Sequence, residues 1–385
     1  MKLPIYLDNH STTRPDDRVI EAMLPFFSEY FGNPSSLGHP FGWAASSAVE
    51  SSRQIVARFI GAGPDEIIFT SGTTESNNLA LKGLALSPLN KKNHIVTTRG
   101  EHPSVLNVAA FLEKAGFSVT YLNLDHYGQI DLSDLMASVR DNTLLVSIMA
   151  ANNEIGTIYP LDEIAKFCSS KGVLFHTDAA QAIGKMDFDV RKLSVDMVSF
   201  SAHKNYGPKG IGALYLRKKS PKIKLHPILQ GGGQEKDIRS GTLNTPAIVG
   251  FAKSLEISSI EMPAEIERIK LLRDKLYQGI IQSLDGVFLN GHPEKRLPNN
   301  LNISLKNINI DHLLSGLRDL ALSTGSACAS GSPEASHVLK AIGLDSSLIK
   351  ASIRFGLGRF NTDEEIDYTI TRFVQAVKKV RGNKL

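Results

Sequence analysis

Three short stretches, far apart in the chain, place reactive and polar side chains just where apolar strands end. The first, IIFTSGTTESNN, runs a strand into Ser71-Gly72-Thr73-Thr74 and then a helix, so hydroxyls and free backbone N–H groups collect at a helix N-terminus. That is the make-up of a phosphate cradle, although serine and threonine beside glycine are also ordinary capping residues. The second, VLFHTDAAQ, sets Asp178 at the carboxyl end of a strand with Gln181 just beyond it. In an open α/β sheet that end faces the ligand crevice; the plainer reading is a helix-capping aspartate. The third, VSFSAHKNYGPKGIG, puts Ser201, His203 and Lys204 after a strand and before a glycine-rich turn. A lysine held there away from water loses proton affinity and becomes a nucleophile and general base. A phosphate cradle, a carboxylate for a pyridinium nitrogen and a lysine able to form a Schiff base are the three needs of pyridoxal 5′-phosphate, which implies chemistry at the α-carbon of an amino acid. The run GPKGIG lacks the GxGxxG order and gives no support for a dinucleotide site.

Positioning such groups takes a sheet whose strands end on one side. From residue 16 to 250, short β-branched and apolar runs alternate with helical periodicity, the pattern of a mainly parallel sheet covered by helices. Seven strands are expected, at 66–70, 94–98, 119–123, 144–149, 173–178, 195–201 and 211–217. Amphipathic segments at 105–116 and 161–172 lie between them and each ends in glycine, which a helix C-terminus favours. After GGGQEKDIRSGTLNTP the texture changes to a long helix over 247–284, strands near 286–290 and 301–305, and a closing helix over 363–380. A chain of 385 residues suits two cooperating domains. The expected fold is α/β: a large cofactor-binding domain over 16–250, and a smaller α+β domain built from 1–15 and 251–385. The smaller one carries a cysteine loop at about 323–337.

The balance of 43 basic and 39 acidic residues, without a long basic run, argues against a dedicated nucleic-acid surface. Two cysteines, Cys168 and Cys328, have no CxxC spacing and form neither a disulfide framework nor a zinc knuckle. No stretch approaches a membrane span and the start lacks the apolar core of a signal peptide, so a soluble cytoplasmic protein is expected.

The motifs YLDNHSTT, FGNPSS, FTSGTTESNN, Glu101-His102, ANNEIG, HTDAAQ, SFSAHKNYGPKGIG, GGGQEKDIRSGT, STGSAC and SIRFGLGRF follow one another over nearly the whole chain. In them the chain resembles the cysteine desulfurases of the class V aminotransferase group, within the fold type I pyridoxal-phosphate enzymes. The resemblance implies that Thr74, Ser201 and His203 bind the phosphate, with Thr73 adding backbone contact. It implies that Thr242 of RSGT reaches the cofactor of a neighbouring subunit, hence a homodimer. Asp178 would pair with the pyridine nitrogen, Asn153 and Gln181 would bond the phenolic oxygen, and His102 would stack on the ring.

Cys328 points to the reaction. It lies in a small-residue stretch suited to a loop, whereas Cys168 sits in an amphipathic helix and reads as buried. The resemblance implies that Arg354 grips the carboxylate of L-cysteine together with Asn153, that Lys204 moves the α-proton, and that Cys328 takes the sulfur as a persulfide, leaving alanine. His102 is the expected acceptor of the thiol proton. No intrinsic metal is implied; Cys328 would at most ligate an iron–sulfur cluster transiently in a complex. The long cysteine loop is similar to the branch serving iron–sulfur scaffold proteins and tRNA-thiolation enzymes, although the chain stops at KKVRGNKL, short of the tail that docks the scaffold in close relatives. Asn9-His10-Ser11 departs from the usual run near the site and is expected to touch no chemical role. The rival readings are an aminotransferase or selenocysteine lyase of the same fold and a non-catalytic partner-binding protein.

Overall fold

The computed structural model describes residues 2–218, 222–324 and 335–382. Strand β1 (Ile5–Tyr6) stands apart from the main sheet, which is formed by β2 (Ile67–Thr70), β3 (His94–Thr98), β4 (Ser118–Leu122), β5 (Thr143–Ser147), β6 (Leu174–Asp178), β7 (Met197–Ser201) and β8 (Gly212–Leu216). The spatial order is β2-β8-β7-β6-β5-β3-β4. Every pair from β4 to β7 is parallel, and only β8 runs against its two neighbours. The reversal has a simple cause: residues 202–211 between β7 and β8 are too few for the crossover that a parallel neighbour needs, so the chain turns back as a hairpin. Lys204 lies in that turn.

β2, β3, β5, β7 and β8 are buried at every residue, as expected of strands covered by helices on both faces. Because β2 and β7 both run opposite to β8, they run parallel to each other and to β6. Their carboxyl ends, Thr70, Asp178 and Ser201, therefore open on the same side. All seven expected strands form within two residues of their expected bounds.

The smaller unit holds an antiparallel sheet of β9 (Val287–Leu289), β10 (Asn300–Leu305), β12 (Ser323–Thr324) and β13 (Ser352–Gly356), in the order β12-β13-β10-β9. Strand β11 (Leu320–Ala321) pairs in parallel with β1, which ties the first residues of the chain to this unit. Helix Thr245–Ser283 runs through the expected boundary at 250 and serves both cores. Its first part buries Ile248, Phe251 and Leu255 in the core of the large sheet, and its second part buries Ile269, Leu272, Leu276 and Ile280 in that of the small one. Among the described residues no helix is long and apolar enough to cross a membrane.

The Phe251 ring meets Phe200 of β7 edge-on, with centroids 5.7 Å apart, so the long helix is keyed to the strand that leads to Lys204. Phe251→Ala should lower unfolding stability by about 3–5 kcal/mol, read as a lower denaturant midpoint with unchanged slope.

Candidate active site

A cavity of about 590 Å³ opens where β2, β6 and β7 end, and its walls include Thr73, Thr74, His102, Asn153, Asp178, Gln181, His203, Lys204 and Arg354. Nine expected site residues, distant in sequence, thus meet around one space. Ser201, the last residue of β7, is buried and is not part of the cavity wall.

At the β2 side, Gly72 takes φ +151°, a conformation that side chains avoid, and an added Cβ there would meet no neighbouring atom within 4 Å. The glycine is there for its backbone, which turns from strand into helix Thr73–Ala85. The helix start is tied down by Glu75, which accepts from Ser71 N (2.7 Å) and from Arg239 Nε (2.8 Å). Thr73 Oγ1 and Ser201 Oγ are buried and meet no hydrogen-bond partner among the described residues. Buried hydroxyls are normally satisfied, so a pair of orphans beside a helix N-terminus suits an anion with several acceptor oxygens. His203 lies beside them, its Nδ1 3.2 Å from Thr12 Oγ1. Burial, with Lys204, Lys185 and Lys209 nearby, lowers its pKa to about 4, so the ring is neutral at pH 7.

Both oxygens of Asp178 are held: Asn77 Nδ2 donates to Oδ2 (2.7 Å) and Ala180 N to Oδ1 (2.9 Å). Asn77 Nδ2 also donates to Ser104 Oγ (2.8 Å), and Ser104 Oγ lies 2.8 Å from His102 Nδ1. The backbone N–H of Ser104 donates to the same His102 Nδ1 (3.1 Å). That nitrogen is therefore an acceptor, and a neutral ring carries its proton on Nε2. Desolvation keeps the ring neutral by lowering its pKa. His102 thus offers a proton from Nε2, which differs from its expected part as acceptor of the thiol proton. Sequence reasoning missed Asn77 and Ser104 as the links that orient it, although Asn77 stands within the phosphate-cradle motif.

Lys204 Nζ donates to the carbonyls of His10 and Ser11, each at 2.6 Å. Lys185 is buried behind it and donates to the Lys204 carbonyl (2.8 Å); burial and Lys204 lower the pKa of Lys185 to about 7. Arg354 of β13 is likewise fixed: Nη1 donates to Asn153 O (2.8 Å) and Nη2 to Asp8 Oδ1 and Ser11 Oγ (both 2.9 Å). The stretch Asp8–Ser11 thus holds both the lysine and the arginine, and His10 engages Gln181 as well, with Nδ1 2.9 Å from Oε1. This corrects the expectation that Asn9-His10-Ser11 stands apart from the chemistry. The signal was present in the departure itself, an imidazole in a run of small polar residues.

Thr242 is exposed and does not line this cavity. Its segment is anchored by Glu235, a buried carboxylate bonded to Arg53 Nη2 (2.7 Å) and Phe69 N (2.7 Å). Cys328 lies outside the described residues. Cys168 is 1% exposed, and burial with Asp196 nearby pushes its thiol up to about 12, so it is inert.

The family of class-V aminotransferases matches residues 5–369. The cysteine desulfurase IscS of an Anaeromyxobacter species is 49% identical over 381 residues, 99% of this chain and 94% of that protein. The chain belongs to the cysteine desulfurases of the class-V aminotransferase family. These are pyridoxal-phosphate enzymes, and the orphaned hydroxyls, the fixed Asp178 and the cavity-facing Lys204 fit that cofactor. The cysteine desulfurase of Homo sapiens is 48% identical over 378 residues, 98% of this chain and 82% of that protein. Among solved structures, a NifS-like protein superposes with a TM-score of 0.91 at 40% identity, covering 98% of this chain and all of that one. SspA, solved in complex with cysteine, gives 0.81 at 37% identity over 93% and 99% of the two chains.

Glu101 is enclosed beside this site, where Thr98 Oγ1 and Met149 N donate to its Oε1 (both 3.0 Å). Burial raises its pKa from 4.5 to about 8. Between those values the folded chain binds more protons than the unfolded one, so stability from this group is full below pH 4.5 and is lost as pH rises through about 8. Glu101→Gln should flatten that loss, seen as a smaller difference between denaturant midpoints measured at the two ends of the range.

Proposed function

We propose that this desulfurase converts L-cysteine to L-alanine and receives the sulfur on Cys328 as a persulfide. The observation that carries the assignment of roles is the convergence of the Lys204 amine, the Asp178 carboxylate and the Arg354 guanidinium on one cavity with an anion cradle at its end. Thr73, Thr74, Ser201 and His203 would hold the cofactor's phosphate and Asp178 its pyridine nitrogen. Asn153 and Gln181 would meet its phenolic oxygen and His102 its ring face, with Thr242 serving the cofactor of a second copy in a homodimer. Bound pyridoxal phosphate supplies a sink for the electron pair left at the substrate α-carbon.

Arg354 binds the substrate carboxylate. Its guanidinium is already fixed by Asp8, Ser11 and the Asn153 carbonyl, so little rotamer freedom is lost on binding. Lys204 takes the α-proton and returns a proton later. The Cys328 thiolate then attacks the substrate sulfur: an S–S bond forms, the C–S bond breaks with its electron pair staying on the carbon skeleton, and a proton added there completes alanine. The Nε2–H of His102 is placed to give a proton to the cavity. The persulfide would pass to an iron–sulfur scaffold protein or to tRNA-thiolation enzymes in the cytoplasm.

Incubation with L-cysteine, alkylation and mass spectrometry should find one extra sulfur on Cys328 and none on Cys168; equal labelling of both thiols would sink the assignment. Removing the Arg354 cation costs its charge-assisted hydrogen bonds, so Arg354→Gln should raise KM for cysteine by roughly 100-fold. An unchanged KM would place the substrate carboxylate elsewhere.

A further inference from the structure

Behind Gln181 runs a chain of hydrogen bonds whose direction can be worked out. Arg296 Nη2 donates to Asn300 Oδ1 (3.0 Å). Arginine only donates, so that oxygen accepts and the amide nitrogen of Asn300 must be the donor. It donates to the Glu154 carbonyl (3.1 Å) and lies 3.2 Å from His10 Nε2, which is therefore an acceptor. Burial and the cations of Arg354, Lys185 and Lys204 hold His10 well below the ordinary imidazole range, so the ring is neutral and carries one proton. With Nε2 accepting, that proton sits on Nδ1 and is given to Gln181 Oε1 (2.9 Å). Gln181 Nε2 donates in return to the His10 carbonyl (3.0 Å).

The amide of Gln181 is thereby locked. Turning it over would set its NH2 against the Nδ1–H of His10 and its oxygen against the His10 carbonyl, two repulsive contacts in place of two bonds in a region where both residues are buried. One of its N–H groups is used on the carbonyl, and the other is left for the cavity that Gln181 lines.

We propose that His10 is a positioning residue that fixes Gln181 as a hydrogen-bond donor toward the cavity, passing on an orientation set by Arg296 through Asn300. The proposal rests on the reading of Gln181 as a partner of the cofactor's phenolic oxygen. A donor at that oxygen favours its anionic form, so the locked amide lowers the pH at which the bound cofactor gives up its proton. An amide free to turn would meet the same oxygen with its own oxygen part of the time.

The test uses holoenzyme titrated with pH while the visible absorbance of the bound cofactor is followed. His10→Ala and Gln181→Ala should each move the midpoint upward by about one pH unit. His10→Asn, whose side-chain N–H still reaches Gln181, should titrate close to the parent. A parent-like midpoint in His10→Ala beside a shifted one in Gln181→Ala overturns the relay and leaves the reading of Gln181 standing. A shift in neither variant removes that reading, and the relay with it. Nitrogen-15 spectra of the histidine rings in the unsubstituted full-length chain report the tautomer without any variant that might unfold: Nδ1–H at His10 is expected, and Nε2–H overturns the relay.

Discussion

Much of the site hangs on how the ammonium of Lys204 is held against two backbone carbonyls, those of His10 and Ser11. The lysine comes from the hairpin turn after β7, in the large sheet, and the carbonyls come from a segment that β1 fastens to the small unit through β11. The two carbonyls orient its ammonium, while Lys185 donates to the Lys204 carbonyl from behind and Arg354 reaches the side chain of the same Ser11. The lysine is thus fixed by contacts that reach it from both units of the fold.

The parts of the fold that follow from local pattern were legible beforehand. The strand before each reactive group is a short run rich in apolar and β-branched residues, as in DMVSFS and VLFHTD. The residues Asp178, His203 and Lys204 inherit their place from those strands, so reading the strands located them. The long helix was also visible, but its division between two cores was not: periodicity shows an apolar face and does not reveal that the face changes partner midway.

What the sequence hid is whatever depends on contacts between distant segments. Asp8, His10 and Ser11 sit more than 340 residues from Arg354 or nearly 200 from Lys204, and no spacing rule links them. The same is true of Asn77, a clamp between Asp178 and Ser104. The proton on His102 also escaped reading, because its position is decided by one backbone N–H in the turn that follows it. Types and order of residues suggest the reaction; the direction of the hydrogen bonds is a property of the folded structure alone.

The helix Thr245–Ser283 has a meaning for how the molecule can be taken apart. It gives half its apolar stripe to one hydrophobic core and half to the other, so cutting the chain anywhere near residue 260 would leave two fragments, each with an unsatisfied greasy surface and a shortened rod. Neither half is an independent building block. The two sheets are therefore coupled through one packed element, which gives a lesion in the small one a route to the pocket at the edge of the large one.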